Sequence, residues 1–389
     1  MRLGKALAAA ALPLFGCTAR LAPTPACGAA PCRWEELARV VDSAVQNGAA
    51  PGAVIAISVG GKRFIHASGK IGFEEPGRAE PGTIYDLASL TKVVALTTLT
   101  MMAVDLGLIQ LDDTVSHLLP AFVGKSKDGV TIRHLLTHSS GLPAHRPLWR
   151  EAASPDAAIS LALSTPLDTV PGTRMVYSDL GAITLTQIVE QAFGQPIDQL
   201  FQTRVAGPIG LKSTRFLPPR SWRKRIAPTE QDPWRGRLIR GEVHDENAAF
   251  LGGRSGHAGL FSSATDLITF GEWLLRQRGG AGGVPPSEPH ISRAVVQEFT
   301  RRQDLVSGSS RALGWDTPSP GSSAGTRMSA DSFGHTGFTG TSIWLDPTRG
   351  LVVVLLTNRV NPTRDNARLG PLRPLVADRT VELLEPVMR

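Results

Sequence analysis

The chain has few cysteines, and all of them lie near its N-terminus. Of 389 residues only three are cysteine: Cys17, Cys27 and Cys32. The rest of the chain therefore offers no thiol for a cysteine nucleophile and no thiolate for a metal site. Long apolar runs are missing too, because no stretch reaches the roughly 18 apolar residues of a membrane-spanning helix. The sequence predicts neither thiol chemistry in the body of the protein nor a transmembrane helix.

Charge of one sign is not concentrated in any part of the chain. Lys and Arg number 41 against 34 Asp and Glu, which gives a net charge of +7. The densest basic cluster comprises Arg220, Arg223, Lys224 and Arg225, without the regular interleaving of aromatic residues that suits stacking on bases. With 42% hydrophobic residues, the composition is that of a globular protein with a substantial core. We therefore predict no nucleic-acid partner.

The N-terminal end differs in composition from the rest. Arg2 and Lys5 form a short positive head before an apolar run at 6–15, the pattern of a secretory signal peptide. The run ends in Leu14-Phe15-Gly16-Cys17, which resembles a bacterial lipobox, where cleavage precedes a cysteine that receives a lipid. We predict a signal peptide at 1–17. Lipidation of Cys17 and plain secretion are the main alternatives, and a cytoplasmic tail is the third.

A short linker follows this segment. Residues 18–33 are rich in Ala, Pro and Cys and are predicted to form a tether. Cys27 and Cys32 are close enough in sequence to form a disulfide in an oxidising compartment. One disulfide and one lipidated cysteine would account for all three cysteines. This fits an exported protein of the periplasm, which would be attached to a membrane if Cys17 carries a lipid.

Strand patterns lie near both ends of the chain. Residues 52–58 and 63–69 are predicted to form a hairpin over Gly60-Gly61. Near the C-terminus, 340–346 alternates as a strand does, and 351–357 is a continuous apolar run typical of a buried strand.

Helical patterns fill the middle of the chain and flank these strands. They are predicted at 34–46, 157–163, 180–193, 197–205, 265–276 and 374–384. The economical fold is α+β, with one antiparallel sheet built from both chain ends and helices packed on it. A helical lobe at about 90–215 is inserted, and the whole forms one domain at 34–389.

One predicted helix begins with a serine and a lysine. Residues 93–104 have apolar side chains on every side, so this helix is expected to be buried. Ser89 and Lys92 share one helical face just before it, so their side chains can meet. A serine hydroxyl needs a base, and a lysine in a dry pocket has a lowered pKa that suits that role. We predict that Ser89 is a nucleophile and Lys92 its base. The alternative is an ordinary buried helix whose lysine reaches solvent.

Two further motifs follow in chain order. Tyr177-Ser178-Asp179 lies in a turn before a helix, and His335-Thr336-Gly337 precedes the strand at 340–346. Together with Ser89-x-x-Lys92, they resemble the serine β-lactamase and penicillin-binding protein superfamily. The branch of class C β-lactamases, D-alanyl-D-alanine carboxypeptidases and related esterases is the most similar. The likeness covers about residues 36–385.

The resemblance implies a role for each motif. Ser89 would attack a carbonyl and become acylated, Lys92 and Tyr177 would share the proton transfer, and water would hydrolyse the acyl-enzyme. The backbone N–H groups of Ser89 and Phe338 would form the oxyanion hole. The substrate-binding residues would be Asp179, His335, Thr336 and Gly337.

Two positions depart from the usual pattern of the superfamily. The third motif commonly begins with lysine, and a neutral His335 attracts a carboxylate less than an ammonium group does. The second motif commonly ends in asparagine, whereas an ionised Asp179 only accepts hydrogen bonds and could pair with Lys92, keeping it charged. Both changes weaken the case for an efficient β-lactamase and suit an esterase or peptidase at least as well.

Four polar residues between the second and third motifs allow a different interpretation. Two imidazoles and two carboxylates could bind zinc, and they belong to His244, Asp245, Glu246 and His257. Their loop setting favours hydrogen-bonded loop residues instead. We therefore predict no metal and no cofactor.

The sequence thus predicts an exported serine hydrolase that acts through an acyl-enzyme on Ser89. Its type would be a D-alanyl-D-alanine carboxypeptidase or an esterase, with a class C-like β-lactamase as the alternative. The substrate would be a small-molecule ester, a peptidoglycan peptide or a β-lactam. The alternative of another class is a non-catalytic envelope protein that binds peptidoglycan or β-lactam.

Overall fold

A computed structural model of the protein describes residues 34–385 and the short segments 26–27 and 30–31. The predicted signal peptide, with Cys17, lies outside these residues, and so does Cys32. Lipidation and the disulfide therefore stay predictions. The backbone of Cys27 is described as part of a short antiparallel pair of strands.

The strands and α-helices of the described residues are numbered in chain order. The strands are β1 (Ala26–Cys27), β2 (Ala30–Pro31), β3 (Gly52–Val59), β4 (Lys62–Gly69), β5 (Ile84–Asp86), β6 (Arg215–Phe216), β7 (Gln231–Asp232), β8 (Arg237–Leu238), β9 (Leu260–Ser263), β10 (Phe333–Gly337), β11 (Thr341–Asp346) and β12 (Leu351–Thr357). The helices are α1 (Trp34–Gln46), α2 (Thr98–Asp105), α3 (Val115–Leu118), α4 (Ile132–Leu136), α5 (Leu148–Glu151), α6 (Pro155–Ser164), α7 (Asp179–Phe193), α8 (Ile197–Phe201), α9 (Glu246–Phe250), α10 (Ala264–Gln277), α11 (Arg293–Thr300) and α12 (Leu372–Leu384).

The central sheet is antiparallel and has the order β10-β11-β12-β3-β4. Strands from both chain ends meet where β3 pairs with β12. This confirms the predicted α+β architecture with a sheet built from the two ends. Between β5 and β6 the described chain is helical, which matches the predicted lobe.

Alternating side chains of β3 explain how helices cover both faces of the sheet. Val54 and Ala56 join the core that contains α10 and the helical lobe. Ile55 and Ile57 point the other way, into a second core formed with α1 and α12. The alternation follows from the period of two in a strand. Within the part of the chain that the structure describes, no helix has the length and apolarity needed to cross a bilayer.

The structure differs from the sequence predictions in two places. The buried helix begins with a π-helical segment (Lys92–Thr97) before α2. A small sheet of order β5-β9-β6, which we did not predict, lies beside the lobe. The motif His335-Thr336-Gly337 lies directly before β11, as predicted, and forms part of edge strand β10.

Candidate active site

Ser89 lies in a tight turn between β5 and the buried helix. Ala88 has a φ of 46°, in the left-handed region that is costly for a residue with a Cβ atom. The Asp86 carboxylate stabilises this turn by accepting the N–H of Ala88 at 2.9 Å. Its second oxygen accepts the N–H of His244 at 2.6 Å. The turn therefore holds Ser89 at the helix start, where it lines a cleft of about 560 Å³.

Lys92 occupies the centre of the site. Its Nζ donates to Ser89 Oγ at 3.1 Å and to the carbonyl of His257 at 3.0 Å. The same nitrogen lies 2.7 Å from Asp179 Oδ1. Three acceptors match the three N–H groups of an ammonium ion. With only 4% of its side chain exposed, Lys92 is a buried charge held by fixed partners.

The charge state of Lys92 follows from these contacts. Burial alone would lower the pKa of Lys92, but neighbouring Asp179 and Tyr177 raise it above its ordinary value. Burial likewise opposes the charge on Asp179, yet the adjacent ammonium holds the pKa of that carboxyl well below its usual range. The expected lysine with a lowered pKa is therefore wrong for this structure. In the structure Lys92 pairs with Asp179 and stays charged.

Tyr177 is packed among cationic and aromatic groups. Lys92 Nζ lies 5.0 Å from its ring centroid, and the guanidinium carbon of Arg311 lies 5.2 Å from it. The rings of His138 and His335 lie at centroid distances of 4.4 and 5.8 Å. The phenol oxygen is buried, and its interaction with the Lys92 ammonium is one of the causes that raise the pKa of Lys92. The phenol is therefore placed to exchange a proton with the lysine.

His138 holds the turn that carries Tyr177. Its Nδ1 accepts the N–H of Ser178 at 3.1 Å, and its carbonyl accepts the N–H of Val176 at 2.8 Å. Burial, followed by the charges of Arg311 and Lys92, lowers the pKa of His138 well below its ordinary value. A neutral, buried imidazole thus braces the backbone on both sides of the tyrosine.

Strand β10 forms the opposite wall and approaches the nucleophile turn closely. A Cβ atom on Gly337 would lie 2.1 Å from Thr341 Oγ1 and 2.3 Å from the carbonyl oxygen of Leu87, so only glycine fits. The hydroxyl of Thr341 donates to that same carbonyl at 2.9 Å, and Thr339 donates to the carbonyl of Asp86 at 2.7 Å. The backbones near Ser89 and Phe338 are thereby tied together, as the predicted oxyanion hole requires.

His335 is buried in this wall, with 4% of its surface exposed. Its Nδ1 lies 2.8 Å from the carbonyl of Thr336 and donates to it. Burial, with the nearby charges of Arg311 and Lys92, lowers the pKa of His335 well below its ordinary value. In this neutral form Nε2 is an acceptor, so His335 offers no N–H to a substrate carboxylate. Thr336 and Gly337 line the cleft beside it.

The described residues place four arginines in the cleft, and the sequence analysis missed all of them: Arg311, Arg359, Arg364 and Arg373. The last three donate to backbone carbonyls or glutamates around the cleft. Arg311 has two buried nitrogens, Nε and Nη1, without a hydrogen-bond partner in residues 34–385, and Arg373 has one, Nε. Arg311 is half-buried, and unpaired N–H groups of a cation are costly, so the cleft provides a place for a negatively charged group.

The residues considered for zinc are engaged in hydrogen bonds. His244 Nε2 lies 2.8 Å from a Glu230 oxygen. The ring nitrogens of His257 contact Asp245 at 2.8 Å and Ser255 at 2.7 Å. Across residues 34–385, no three His, Cys, Asp or Glu side chains form a group that could hold a metal ion.

The charge on Lys92 gives a pH-dependent prediction for Asp179→Asn. Without the carboxylate, burial lowers the lysine pKa, so its neutral form appears at lower pH. The rising limb of the acylation rate against pH is expected to move to lower pH. Stopped-flow acylation by a fluorescent penicillin across a pH series measures this shift. Glu246→Gln, which removes a cleft carboxylate paired with Arg364, is the matched control and should leave the limb in place. An unmoved limb in Asp179→Asn would show that the lysine does not control it.

The fold and this site define a serine hydrolase of the β-lactamase and penicillin-binding protein type. A family model described as Beta-lactamase matches residues 37–378. The chain is 33% identical over 325 residues to a "Putative D-alanyl-D-alanine carboxypeptidase" of Escherichia coli (strain K12), covering 75% of this chain and 72% of the relative. A Salmonella typhi relative of the same description is 32% identical over 328 residues, covering 76% and 74%. The chain therefore belongs to the beta-lactamase family.

Solved structures agree with this fold. A penicillin-binding protein homologue from Caulobacter crescentus is 20% identical with a TM-score of 0.72, covering 92% of this chain and 99% of that chain. "EstCE1, a hydrolase with promiscuous acyltransferase activity" is 23% identical with a TM-score of 0.70, covering 89% and 98%. At these identities the likeness concerns the fold.

Proposed function

We propose that the protein is a D-alanyl-D-alanine carboxypeptidase that acts on cell-wall peptides through an acyl-enzyme on Ser89. The observation that carries this proposal is Arg311, which lies in the same cleft as the serine and whose Nε and Nη1 have no hydrogen-bond partner among the described residues. A guanidinium binds a carboxylate through paired, charge-assisted hydrogen bonds, and the C-terminal carboxylate of such a peptide supplies that group. The relatives at 32–33% identity, described as putative carboxypeptidases of this type, support the same substrate.

The proposed reaction uses groups that the structure brings together. Ser89 Oγ attacks the carbonyl of the penultimate D-alanine, while the N–H groups of Ser89 and Phe338 hold the developing oxyanion. Lys92 in its neutral form takes the hydroxyl proton, which passes with the help of Tyr177 to the amine of the leaving D-alanine as the peptide C–N bond breaks. Water then attacks the acyl carbonyl, and the same pair takes the proton of the water and returns it to Ser89 Oγ as the ester bond breaks. The carboxylate of the substrate lies against Arg311 in the Michaelis complex.

A second candidate is an esterase of the same mechanism. The observation that favours it is the neutral, buried His335 at the position where a lysine is usual in the superfamily. Without that positive charge, the β10 wall has less affinity for an anionic substrate. An ester with no carboxylate needs no positive charge in this wall.

A hydrolysis panel separates the candidates. The substrates are a peptide ending in D-Ala-D-Ala, a short-chain nitrophenyl ester and a chromogenic cephalosporin, each with Ser89→Ala as the control. The highest kcat/KM for the peptide would support the carboxypeptidase. Turnover of the ester alone would favour the esterase, and turnover of the cephalosporin at the highest rate would make it a β-lactamase. Absence of turnover and of any covalent adduct with acylating probes would favour a binding protein.

Arg311→Ala is expected to weaken the reaction with the peptide acid specifically. Loss of a charge-assisted pair should lower its kcat/KM by roughly 10- to 100-fold, mainly through KM. The matched substrate is the same peptide with an amidated C-terminus, for which wild type and variant should be nearly equal. Steady-state hydrolysis of both peptides gives the ratio. An equal loss for acid and amide would contradict a carboxylate contact.

We also propose that the protein is exported and that Cys17 carries a lipid. The positive head, the apolar run and the lipobox-like Leu14-Phe15-Gly16-Cys17 support this location. Radiolabelled palmitate should label the protein in expressing cells, and Cys17→Ser should abolish the label. An unlabelled wild-type protein in the periplasmic fraction would mean plain secretion instead.

A further inference from the structure

We propose that Asp245 and His257 are positioning residues that hold Lys92 in place for acylation through the backbone carbonyl of His257. The proposal rests on the serine-hydrolase chemistry of Ser89 and does not depend on the identity of the substrate. It gives a role to the buried side chain of His257, whose backbone carbonyl contacts Lys92.

The side chain of His257 is fixed at both ring nitrogens. Nε2 lies 2.8 Å from Asp245 Oδ1, and Nδ1 lies 2.7 Å from the hydroxyl of Ser255. His257 is 1% exposed and Ser255 3% exposed, so water does not compete for these bonds. The carbonyl of this same residue accepts from Lys92 Nζ at 3.0 Å. The position of the imidazole therefore determines where one of the three acceptors of the ammonium group lies.

The backbone that carries His257 has no room to move away. The N–H of the preceding Gly256 donates to Thr186 Oγ1 of α7 at 3.0 Å. A Cβ atom on Gly256 would lie 2.2 Å from that oxygen and 2.8 Å from a Leu96 methyl group. Leu96 belongs to the helical segment that begins at Lys92, so the carbonyl and the lysine are packed as one unit.

His244, which directly precedes Asp245 in the chain, links this unit to Ser89. The N–H of His244 donates to one oxygen of Asp86, whose other oxygen holds the strained turn at Ala88. The dipeptide His244-Asp245 thus contacts the support of Ser89 on one side and the support of Lys92 on the other. Because a misplacement of about 1 Å can cost roughly 100-fold in rate, such a shared support matters for the Ser89–Lys92 geometry.

A merely structural role for Asp245 makes a different prediction. Its Oδ1 also accepts the N–H of Ala248 at 2.8 Å and so caps the short helix α9. If capping were its whole function, removing the carboxylate would affect folding and would slow the enzyme to the same extent with or without Lys92.

The test is a double-mutant cycle on covalent labelling of Ser89 by a fluorophosphonate, followed by intact mass. Asp245→Ala should slow labelling by roughly 30- to 100-fold in the otherwise wild-type protein. In the Lys92→Ala background, the same change should have an effect of less than about threefold, since residues that act as a unit are not additive. An equal loss in both backgrounds would overturn the proposal.

Two further variants keep the test decisive. Ser154→Ala removes the cap of α6, which accepts the N–H of Ala157 at 3.2 Å outside the cleft, and should leave labelling within about twofold of wild type. Asp245→Asn keeps an acceptor for His257 and should restore most of the rate. If Asp245→Ala does not fold, Ser255→Ala replaces it in the cycle, and additivity there would overturn the proposal. Labelling without peptide hydrolysis would contradict the proposed substrate only.

Discussion

Lys92→Ala is expected to slow the acylation of Ser89 by roughly 10³- to 10⁴-fold, because base and nucleophile act as a unit. Lys92 Nζ contacts the serine hydroxyl at 3.1 Å, so its loss removes the group that takes up the hydroxyl proton when the lysine is in its neutral form. The rate of adduct formation with a fluorescent penicillin or a fluorophosphonate, followed by intact mass, measures the effect. A rate near that of wild type would mean that the base lies elsewhere.

The loss of Lys92 also leaves the largely buried Asp179 carboxylate without its nearest cation. Breaking a buried pair on one side costs about 3–5 kcal/mol in the free energy of unfolding, which could be mistaken for a catalytic effect. The double variant Lys92→Ala/Asp179→Asn removes both charges and is the control. Urea unfolding should show recovered stability, while acylation should stay as slow as in the single variant. Recovery of both together would contradict a catalytic role for the lysine.

Tyr177→Phe is expected to lower the acylation rate by roughly 10³-fold while leaving stability almost unchanged. Its phenol oxygen is buried beside the Lys92 ammonium, which keeps three other acceptors, so the loss of this one contact costs only on the order of 1 kcal/mol of stability. A large change in rate without a change in stability would mark the hydroxyl as part of the proton transfer. Acylation kinetics and urea unfolding of the same preparation measure the two quantities.

The chain supplies a matched control for this variant. It has two tyrosines, and the hydroxyl of Tyr85 is also buried, with no hydrogen-bond partner among the described residues. Tyr85 packs in the hydrophobic core, so Tyr85→Phe should leave the acylation rate within about twofold of wild type. Full activity in Tyr177→Phe would assign the proton transfer to Lys92 alone.

The longer elements were predictable because each carries its own pattern. The apolar run of β12 is bounded by turns at both ends, and α1 has a clear apolar face, so their limits match the sequence predictions at 351–357 and 34–46. The small sheet of β5, β9 and β6 was not predictable. Its strands have two to four residues, too few to show a period, and they pair only through tertiary contacts.

The site was predictable only where a motif carries the information. Ser89 and Lys92 are three residues apart, so helical geometry alone brings them together. The carbonyl that holds the same lysine is 165 residues away, and no local pattern indicates that contact. Burial of Lys92 alone predicts a lowered pKa, whereas the pairing with Asp179, which the second motif already allowed, reverses the direction. Arg311 carried no signal, since arginines are scattered throughout the chain.

The meeting of the two chain ends in the sheet has a consequence for biosynthesis. Ala53 of β3 pairs with Thr357 of β12, and Val59 pairs with Leu351, so β3 lacks one of its two partner strands until β12, far later in the chain, has been synthesised. A ribosome-bound fragment that lacks β12 would expose β3 as an unpaired edge, which invites association with other chains. We therefore expect truncated chains to aggregate rather than yield a smaller working enzyme, and native assembly to be a late, all-or-nothing event.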